Sequence, residues 1–400
     1  MISVAKAERL ILENIEFFSA EKVSLEKAIG LALREDILID RDYPPYDRVT
    51  MDGYAISYSD WKKGLRSFEI KGSQPAGKKA LKLKNAGESI EVMTGSVIPD
   101  NADTVVPIER IKRKNNNRIE ILGNLSLAKG QFTHKKGSDI RSGKKVLEKG
   151  IFLRSPEIAI LASAGFNQLP VAKIPKIAII SNGDELVEVG DKTTSFQIRS
   201  ANDRAIEASI LARRIGKVSR HIIKDKRKKI LEKIIYLHST HDMIILTGGV
   251  SMGRYDFVPG ILEELKINLV FHGISQRPGR PMWFGMSRES KPIFALPGNP
   301  VSTMVCMNRF IVPALHYALS TKPFYPEKLV LKKKVIFSPN LTYFVPVITN
   351  IDNNGVIKGN PITTNTSGDF ISLANTDGFA ELKKEPKIFK KGYSANLYRW

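Results

Sequence analysis

Acidic side chains recur where the buried strands of an α/β sheet are expected to end. Asp184 and Glu185 follow the apolar run IAII, and Asp225 follows VSRHII. Asp256 comes after a glycine-rich segment that follows MIIL. Ligands of open α/β sheets bind at the carboxyl ends of the strands, where such residues would converge. Because Mg²⁺ binds one or two carboxylates together with phosphate oxygens, we expect a magnesium site among Asp184, Glu185, Asp225 and Asp256.

The glycine-rich segment TGGVSMG could hold a phosphate. Glycines allow backbone N–H groups to approach phosphate oxygens without obstruction by a Cβ atom, and hydroxyl groups add further donors. The pattern matches neither the GxGxxG fingerprint nor the P-loop, and taken alone it also fits a tight turn. The segment therefore predicts a phosphate or nucleotide cradle of another kind, formed by Thr247, Gly248, Gly249, Ser251 and Gly253.

Two further loops carry groups suited to anions. The loop RPGRP places Arg277 and Arg280 on a proline-stiffened turn that ends at Pro281, and each guanidinium can donate paired hydrogen bonds to a tetrahedral anion. The loop PGNPVS ends a buried strand and opens a helix, so its free N–H groups are expected to form a second anion site. Its candidate residues are Pro297, Gly298, Asn299, Pro300 and Ser302.

Two weaker signals lie nearer the N-terminus. DRVTMDGYA places Asp52 before a glycine, and EVMTGSVIP places Thr94 in the same position. Each pattern is typical of a tight turn that presents a polar side chain. By itself, neither identifies a site.

The elements that must position these residues fall into four regions. Residues 173–320 alternate apolar strands with amphipathic helices, which predicts a doubly wound, mostly parallel sheet covered on both faces. Residues 43–138 contain short alternating strands and are expected to form an inserted β module. It would interrupt a split helical domain, 1–42 and 139–172, with one helix over Ser3–Phe18 and a second from Ser24 to Leu31. Residues 321–400 predict a small β-barrel-like domain.

Composition limits the class of protein. The 400 residues are 42% hydrophobic and 26% charged, which is typical of globular domains. The net charge of +21 favours anionic partners, but the basic runs lack interleaved aromatic residues, so specific nucleic-acid binding is not expected. A single cysteine, Cys306, excludes an intramolecular disulfide. No secretory signal pattern opens the chain and no apolar run is long enough for a membrane, so we expect a cytoplasmic protein.

These motifs together resemble one family. The segments DRVTMDGYA, VMTGSVIPDNADTVVPIE, SNGDEL, LTGGVSMGRYDF, RPGRP and LPGNPVS occur in the order found in molybdopterin molybdenumtransferases of the MoeA type, which are related to the E domains of gephyrin. The resemblance covers nearly the whole chain. It implies an elongated homodimer of four-domain subunits. It also implies an enzyme that takes adenylated molybdopterin from a molybdopterin adenylyltransferase, inserts molybdate as co-substrate and releases AMP with Mg²⁺.

The resemblance also implies roles for particular residues. The functional acids and threonine of the family match Asp52, Thr94, Asp139, Glu185, Asp225 and Asp256. Ser367 lies in TSGDF, which resembles a family segment of the C-terminal domain. Two departures stand out: the family loop KPGKP has arginines here, and NLTYFVPVI lacks the arginines of the usual R-x-E-F-x-R strand.

Two other functions remain open from the sequence. A relative with the same α/β fold that acts on another nucleotide, such as a molybdopterin adenylyltransferase, would share the TGGVSMG domain but would lack the inserted module. A basic scaffold or interaction protein would account for the positive charge.

Overall fold

The computed structural model describes residues 1–114, 117–123, 125–250 and 257–400. They form two compact units. The first unit contains Met1–Glu35, Lys149–Ile158 and Gln168–Trp400. The second unit contains Asp36–Glu148 and Ala159–Asn167. Within the described ranges, no helix has the length and apolar content that crossing a membrane requires.

A six-stranded sheet forms the centre of the first unit. Its strands lie in the order Lys217–Ile223, Lys176–Asn182, Met243–Thr247, Pro292–Leu296, Trp283–Met286, Asn268–His272. The first four run parallel, as predicted for continuous apolar strands. The last two are antiparallel to their neighbours, and no crossover helix lies between Asn268–His272 and Trp283–Met286 or between Trp283–Met286 and Pro292–Leu296. The sheet is therefore mostly parallel with an antiparallel edge.

Helices cover both faces of this sheet. Ile177 and Ile179 share one buried cluster with the helices Asn202–Ala212 and Pro300–Cys306. Ala178 and Ile180 point to the other face, where they share a cluster with Arg227–Thr240 and Val258–Glu264. Alternate residues of a strand face opposite sides, so a strand buried on both sides must be apolar throughout. This confirms the doubly wound arrangement.

The helix expected from Pro300 onward is divided into three parts. An α-helix over Pro300–Cys306 is followed by a π-helical turn over Met307–Ile311 and a second α-helix over Val312–Ser320. The π-helical turn carries Arg309, which is 3% exposed and forms ion pairs with Glu8 at 2.9 Å and Glu381 at 3.1 Å. A buried guanidinium needs such partners, because an unpaired buried charge is strongly destabilising.

The N-terminal prediction was correct for the first helix and wrong for the second. The helix Val4–Asn14 begins after Ser3, whose side chain accepts a hydrogen bond from the Lys6 N–H. The expected helix over Ser24–Leu31 is only a 3₁₀ turn at Leu25–Lys27. The residues before it form a strand, Ala20–Ser24, paired antiparallel with Gln168–Ala172. This long-range pairing overrides the local helical pattern. A later helix spans Ser155–Ser163.

The second unit is built on another six-stranded sheet. Its strands lie in the order Thr104–Pro107, Gly53–Ile56, Glu88–Val92, Ser67–Gln74, Arg118–Ile121, Ile111–Lys114. The other elements of the unit are the helix Tyr58–Lys62, a 3₁₀ turn at Ile108–Arg110 and the short strands Ile37–Leu38, Arg48–Val49, Thr133–His134 and Lys145–Leu147. The sheet lies in the inserted region, where short strands were predicted.

The C-terminal strands close into a ring. Thr342–Ile351, Ile357–Pro361, Glu327–Leu331, Ser394–Arg399 and Gly378–Leu382 pair in that order, and the last pairs again with the first. Glu327–Leu331 and Ile357–Pro361 pair in parallel and the other pairs of the ring are antiparallel. Closure of the sheet removes exposed strand edges. Gln276–Arg277 pairs in parallel with the Thr342–Ile351 strand, so the RPGRP loop begins beside this domain. The remaining elements of the first unit are Leu186–Val187, Ile198–Arg199, Val335–Ile336, Ile388–Phe389 and a 3₁₀ turn at Ile371–Leu373.

Candidate active site

A cleft of about 1230 Å³ opens in the first unit at the carboxyl ends of the parallel strands. Its position is the one that open α/β sheets use for ligands. The residues predicted from the sequence that line it are Glu185, Asp225, Thr247, Gly248, Gly249, Pro281, Pro297, Gly298, Asn299 and Pro300. Ser251, Gly253 and Asp256 lie outside the described residues. The structure therefore brings three separate predicted loops into one cavity.

The described part of the glycine loop requires its glycines. Gly248 and Gly249 have φ angles of +91° and +66°, in the left-handed region. A Cβ atom on Gly248 would lie 2.7 Å from the carbonyl oxygen of Asn182. A Cβ atom on Gly249 would lie 2.4 Å from the Asn182 side-chain nitrogen. The loop therefore passes closely over the end of the Lys176–Asn182 strand.

Asn202 connects two walls of the cleft. Its Nδ2 atom donates hydrogen bonds to Thr247 Oγ1 at 3.0 Å and to the Gly298 carbonyl at 2.8 Å. Asn202 is not among the residues that the sequence singled out. Its sole local signal is a polar residue at a helix start, which is common in proteins and indicates no particular partner.

The carboxylates are held by neighbouring backbone and amide groups. Asn182 Nδ2 donates to Asp225 Oδ1 at 3.2 Å, and the Asp225 N–H donates to Asp184 Oδ1 at the same distance. Glu185 is exposed and lines the cleft. The described residues contain no cluster of three carboxylate, imidazole or thiolate groups able to hold a metal by themselves. Two carboxylates in a cleft open to phosphate do fit Mg²⁺, which often keeps several water ligands.

The PGNPVS loop is tied to the C-terminal domain. Asn299 Nδ2 donates to Ser367 Oγ at 2.8 Å, and the Val301 N–H donates to the Ser367 carbonyl at 3.1 Å. The expectation of free N–H groups at this helix start is therefore wrong for Val301. Ser302 is buried, at 3% exposure. Ser367 thus positions the loop through two contacts.

The predicted arginines lie beside the cleft. Arg277 and Arg280 are exposed, and Pro281 is the residue of their loop that reaches the lining. Arg280 Nε lies 2.9 Å from the Met1 sulfur. The cationic residues that line the cleft, within the described chain, are Arg199 and Arg204, which sequence reasoning did not consider.

Asp52 and Thr94 meet in the second unit. Both the N–H and the hydroxyl of Thr94 donate to Asp52 Oδ1, at 2.6 and 2.7 Å. These bonds hold the pKa of the Asp52 carboxyl below its usual value, the backbone bond contributing most. The following Gly95 has a φ of +87°, as expected for the turn. The two weak motifs therefore form one exposed polar pair.

Asp139 lies in the same unit. Its Oδ1 is 2.8 Å from Nε2 of His134, and the aspartate is exposed. Of the five acids and one threonine implied by the resemblance, the first unit thus provides Glu185 and Asp225, and the second unit provides Asp52, Thr94 and Asp139.

Comparison with known protein families covers most of the chain in three parts. The MoeA N-terminal region (domain I and II) matches residues 2–165, and a probable molybdopterin binding domain matches residues 178–317. The MoeA C-terminal region (domain IV) matches residues 328–400. The molybdopterin molybdenumtransferase of Synechocystis sp. is 36% identical over 401 residues, and the alignment covers 100% of each chain. This chain belongs to the MoeA family of molybdopterin molybdenumtransferases.

Other MoeA proteins are also similar to this chain in sequence and in structure. The molybdopterin molybdenumtransferase of Staphylococcus epidermidis is 29% identical over 405 residues, covering 98% of this chain and 94% of the relative. Two crystal structures of the molybdopterin biosynthesis MoeA protein from Pyrococcus horikoshii superpose with TM-scores of 0.83 and 0.77, at 29% and 28% identity. Both superpositions cover 100% of this chain, and they cover 99% and 100% of the two Pyrococcus chains. MoeA membership confirms the multidomain α/β fold and gives the chain an enzymatic role in molybdenum cofactor biosynthesis.

Proposed function

We propose that this chain inserts molybdate into adenylated molybdopterin and releases AMP. The observation that carries the proposal is the meeting of the Thr247–Gly249 loop with Glu185 and Asp225 in one cleft of a chain that belongs to the MoeA family. The loop's N–H groups suit phosphate oxygens, and the carboxylates suit a cation that would offset the charge of those oxygens. A substrate that contains a phosphoanhydride and a second, anionic substrate fit this combination.

Mg²⁺ is the proposed metal, with Glu185, Asp225 and the sequence candidate Asp256 as ligands. When bound, it would polarise the phosphoryl oxygens of the leaving AMP. Asn182 orients Asp225 through its amide hydrogen bond at 3.2 Å. Asp52, Thr94 and Asp139 are proposed catalytic residues. Thr247, Gly248, Gly249, Ser251 and Gly253 are proposed to bind the substrate through the glycine loop. The other proposed binding residues are Arg277, Arg280, Pro281, Pro297, Gly298, Asn299, Pro300, Ser302 and Ser367.

The surroundings of the enzyme are part of the proposal. A molybdopterin adenylyltransferase would supply the adenylated substrate, and the enzyme would act in the cytoplasm as a homodimer. The excess of 62 basic over 41 acidic residues suits anionic substrates and needs no specific nucleic-acid partner. Light scattering of the purified chain tests the dimer, since a monomer mass at working concentration would contradict it.

The decisive experiment incubates the purified chain with adenylated molybdopterin, molybdate and Mg²⁺ and follows AMP by chromatography. We expect AMP release that requires both molybdate and the metal. Glu185→Gln and Asp225→Asn should each abolish release and leave thermal unfolding unchanged, because an amide oxygen binds Mg²⁺ poorly.

Glu232→Gln is the control for these variants. Glu232 lies on the helix Arg227–Thr240, about 4.0 Å from Lys228 and away from the cleft lining, so its loss should leave AMP release unchanged. Near-normal turnover in both Glu185→Gln and Asp225→Asn would contradict the assigned site. Absence of AMP release from the unmodified chain would contradict the proposed function.

A further inference from the structure

The cleft contains an arginine whose charge is not balanced by a neighbouring carboxylate. Arg204 and Arg199 both line the cavity. Arg204 Nη2 lies 3.0 Å from Glu188 Oε2, with which it forms an ion pair. Arg199 Nη2 instead donates to the backbone carbonyl of Asp191 at 3.3 Å, and no carboxylate in the described chain forms an ion pair with it. Arg199 therefore brings a free positive charge to the lining.

The backbone places Arg199 beside a proposed metal ligand. The strand Ile198–Arg199 pairs in parallel with Leu186–Val187, which directly follows Glu185. The Ile198 N–H donates to the Glu185 carbonyl at 2.9 Å, and the Ser200 N–H donates to the Val187 carbonyl at 2.9 Å. Residues on both sides of Arg199 are thus hydrogen-bonded to the segment that carries Glu185.

A buried network anchors the chain just beyond Arg199. Ser200 Oγ donates to Asp203 Oδ1 at 2.7 Å, and Arg220 Nη1 lies 2.8 Å from Asp203 Oδ2. Asp203 is completely buried, and a buried carboxylate with two such partners is costly to move. Asn202, the residue before Asp203, donates hydrogen bonds to Thr247 Oγ1 and to the Gly298 carbonyl. The backbone of Arg199 is therefore fixed relative to the glycine loop.

We propose that Arg199 binds a tetrahedral oxyanion in the cleft. The inference rests on the proposed function and deepens it. The lining carboxylates, Glu185 and Asp225, repel an anion, so an anionic substrate needs a cation from the protein as well as a metal. A guanidinium donates paired hydrogen bonds to two oxygens of such an anion. Both the phosphate of the nucleotide and molybdate have this chemistry.

Calorimetry on the full chain tests Arg199 with two probes, AMP with Mg²⁺ and molybdate alone. Arg199→Gln should weaken binding of at least one probe about tenfold or more, because a charge-assisted contact is lost. If only the affinity for AMP falls, the anion that Arg199 binds is the nucleotide phosphate. If only the affinity for molybdate falls, the anion is molybdate. Arg199→Lys should bind with intermediate affinity, since a lysine keeps the charge without the paired donors.

Arg204→Gln is the matched control, because it removes the same charge from the same cleft. Its pairing with Glu188 predicts a change of about threefold or less. Equal weakening in the two glutamine variants would overturn the inference, as would unchanged affinity of Arg199→Gln for both probes. If the unmodified chain binds neither AMP nor molybdate, the proposed function fails, and the inference fails with it. Thermal unfolding of each variant verifies that the fold is retained.

Discussion

One carboxylate oxygen of Asp52 accepts two hydrogen bonds from Thr94, 2.6 Å from the backbone N–H and 2.7 Å from the hydroxyl. Both bonds stabilise the charged carboxylate and lower the pKa of Asp52. A lowered pKa in the folded state stabilises the protein above the pKa of the unfolded chain. That contribution is lost as the pH falls through the folded pKa.

Thr94→Val should therefore raise the pKa of Asp52 part of the way to its usual value, since the backbone bond remains. Thr94→Ser retains a hydroxyl and should leave the pKa low. Carbon-detected NMR titration of the Asp52 carboxyl measures both variants. An unchanged pKa in Thr94→Val would show that the hydroxyl bond is not formed in solution.

Gly249→Ala should destabilise the protein and weaken AMP binding. Its φ of +66° is unfavourable for alanine, and the new Cβ would meet the Asn182 side chain at 2.4 Å. A residue forced into this region costs about 1–3 kcal/mol. Urea unfolding measures the change in the free energy of unfolding. Gly260→Ala is the control, because an added Cβ meets nothing within 4 Å in the helix Val258–Glu264, and it should be neutral or stabilising. Equal stability of Gly249→Ala and the unmodified chain would contradict the close approach.

Arg280→Ala tests whether the RPGRP loop takes part in anion binding despite lying beside the cleft lining. If Arg280 contacts molybdate or the pterin phosphate in the complex, the half-saturating molybdate concentration should rise about tenfold or more. Steady-state rates of AMP release at a series of molybdate concentrations measure this half-saturating concentration. Arg288→Ala, which removes another exposed arginine outside the cleft, should change nothing. An unchanged molybdate requirement together with unchanged pterin affinity would remove Arg280 from the site.

Cys306 should be unreactive in the folded protein. Complete burial raises the pKa of its thiol to about 12, against the weaker lowering effect of the Gln276 hydrogen bond. The nucleophilic thiolate is therefore scarce in mildly alkaline buffer, whereas an unfolded cysteine has a pKa near 8.5. A thiol reagent should label the chain only in denaturant, where it should find one thiol per chain. Rapid labelling of the folded chain would show that the region around Cys306 opens.

The sequence by itself was sufficient to identify the family and to predict the α/β domain and the main loops of the cleft. Continuous apolar strands such as MIIL can be buried on both faces, and the carboxyl ends of parallel strands converge. The positions of Asp225 and Gly249 followed from that rule, without knowledge of any side-chain contact. The mostly parallel sheet and the shared cleft confirm it.

Only the tertiary structure decided which distant residues meet. Ala20–Ser24 became a strand because it pairs with Gln168–Ala172, a partner that no local pattern reveals. Arg199 rather than Arg280 lines the cleft, because the strand beside Leu186–Val187 places it there. Asn202 donates hydrogen bonds to Thr247, which is 45 residues further along the chain, and to Gly298, which is 96 residues further along. Periodicity and turn chemistry are local, whereas hydrogen bonds and ion pairs between separate loops depend on how the whole chain packs.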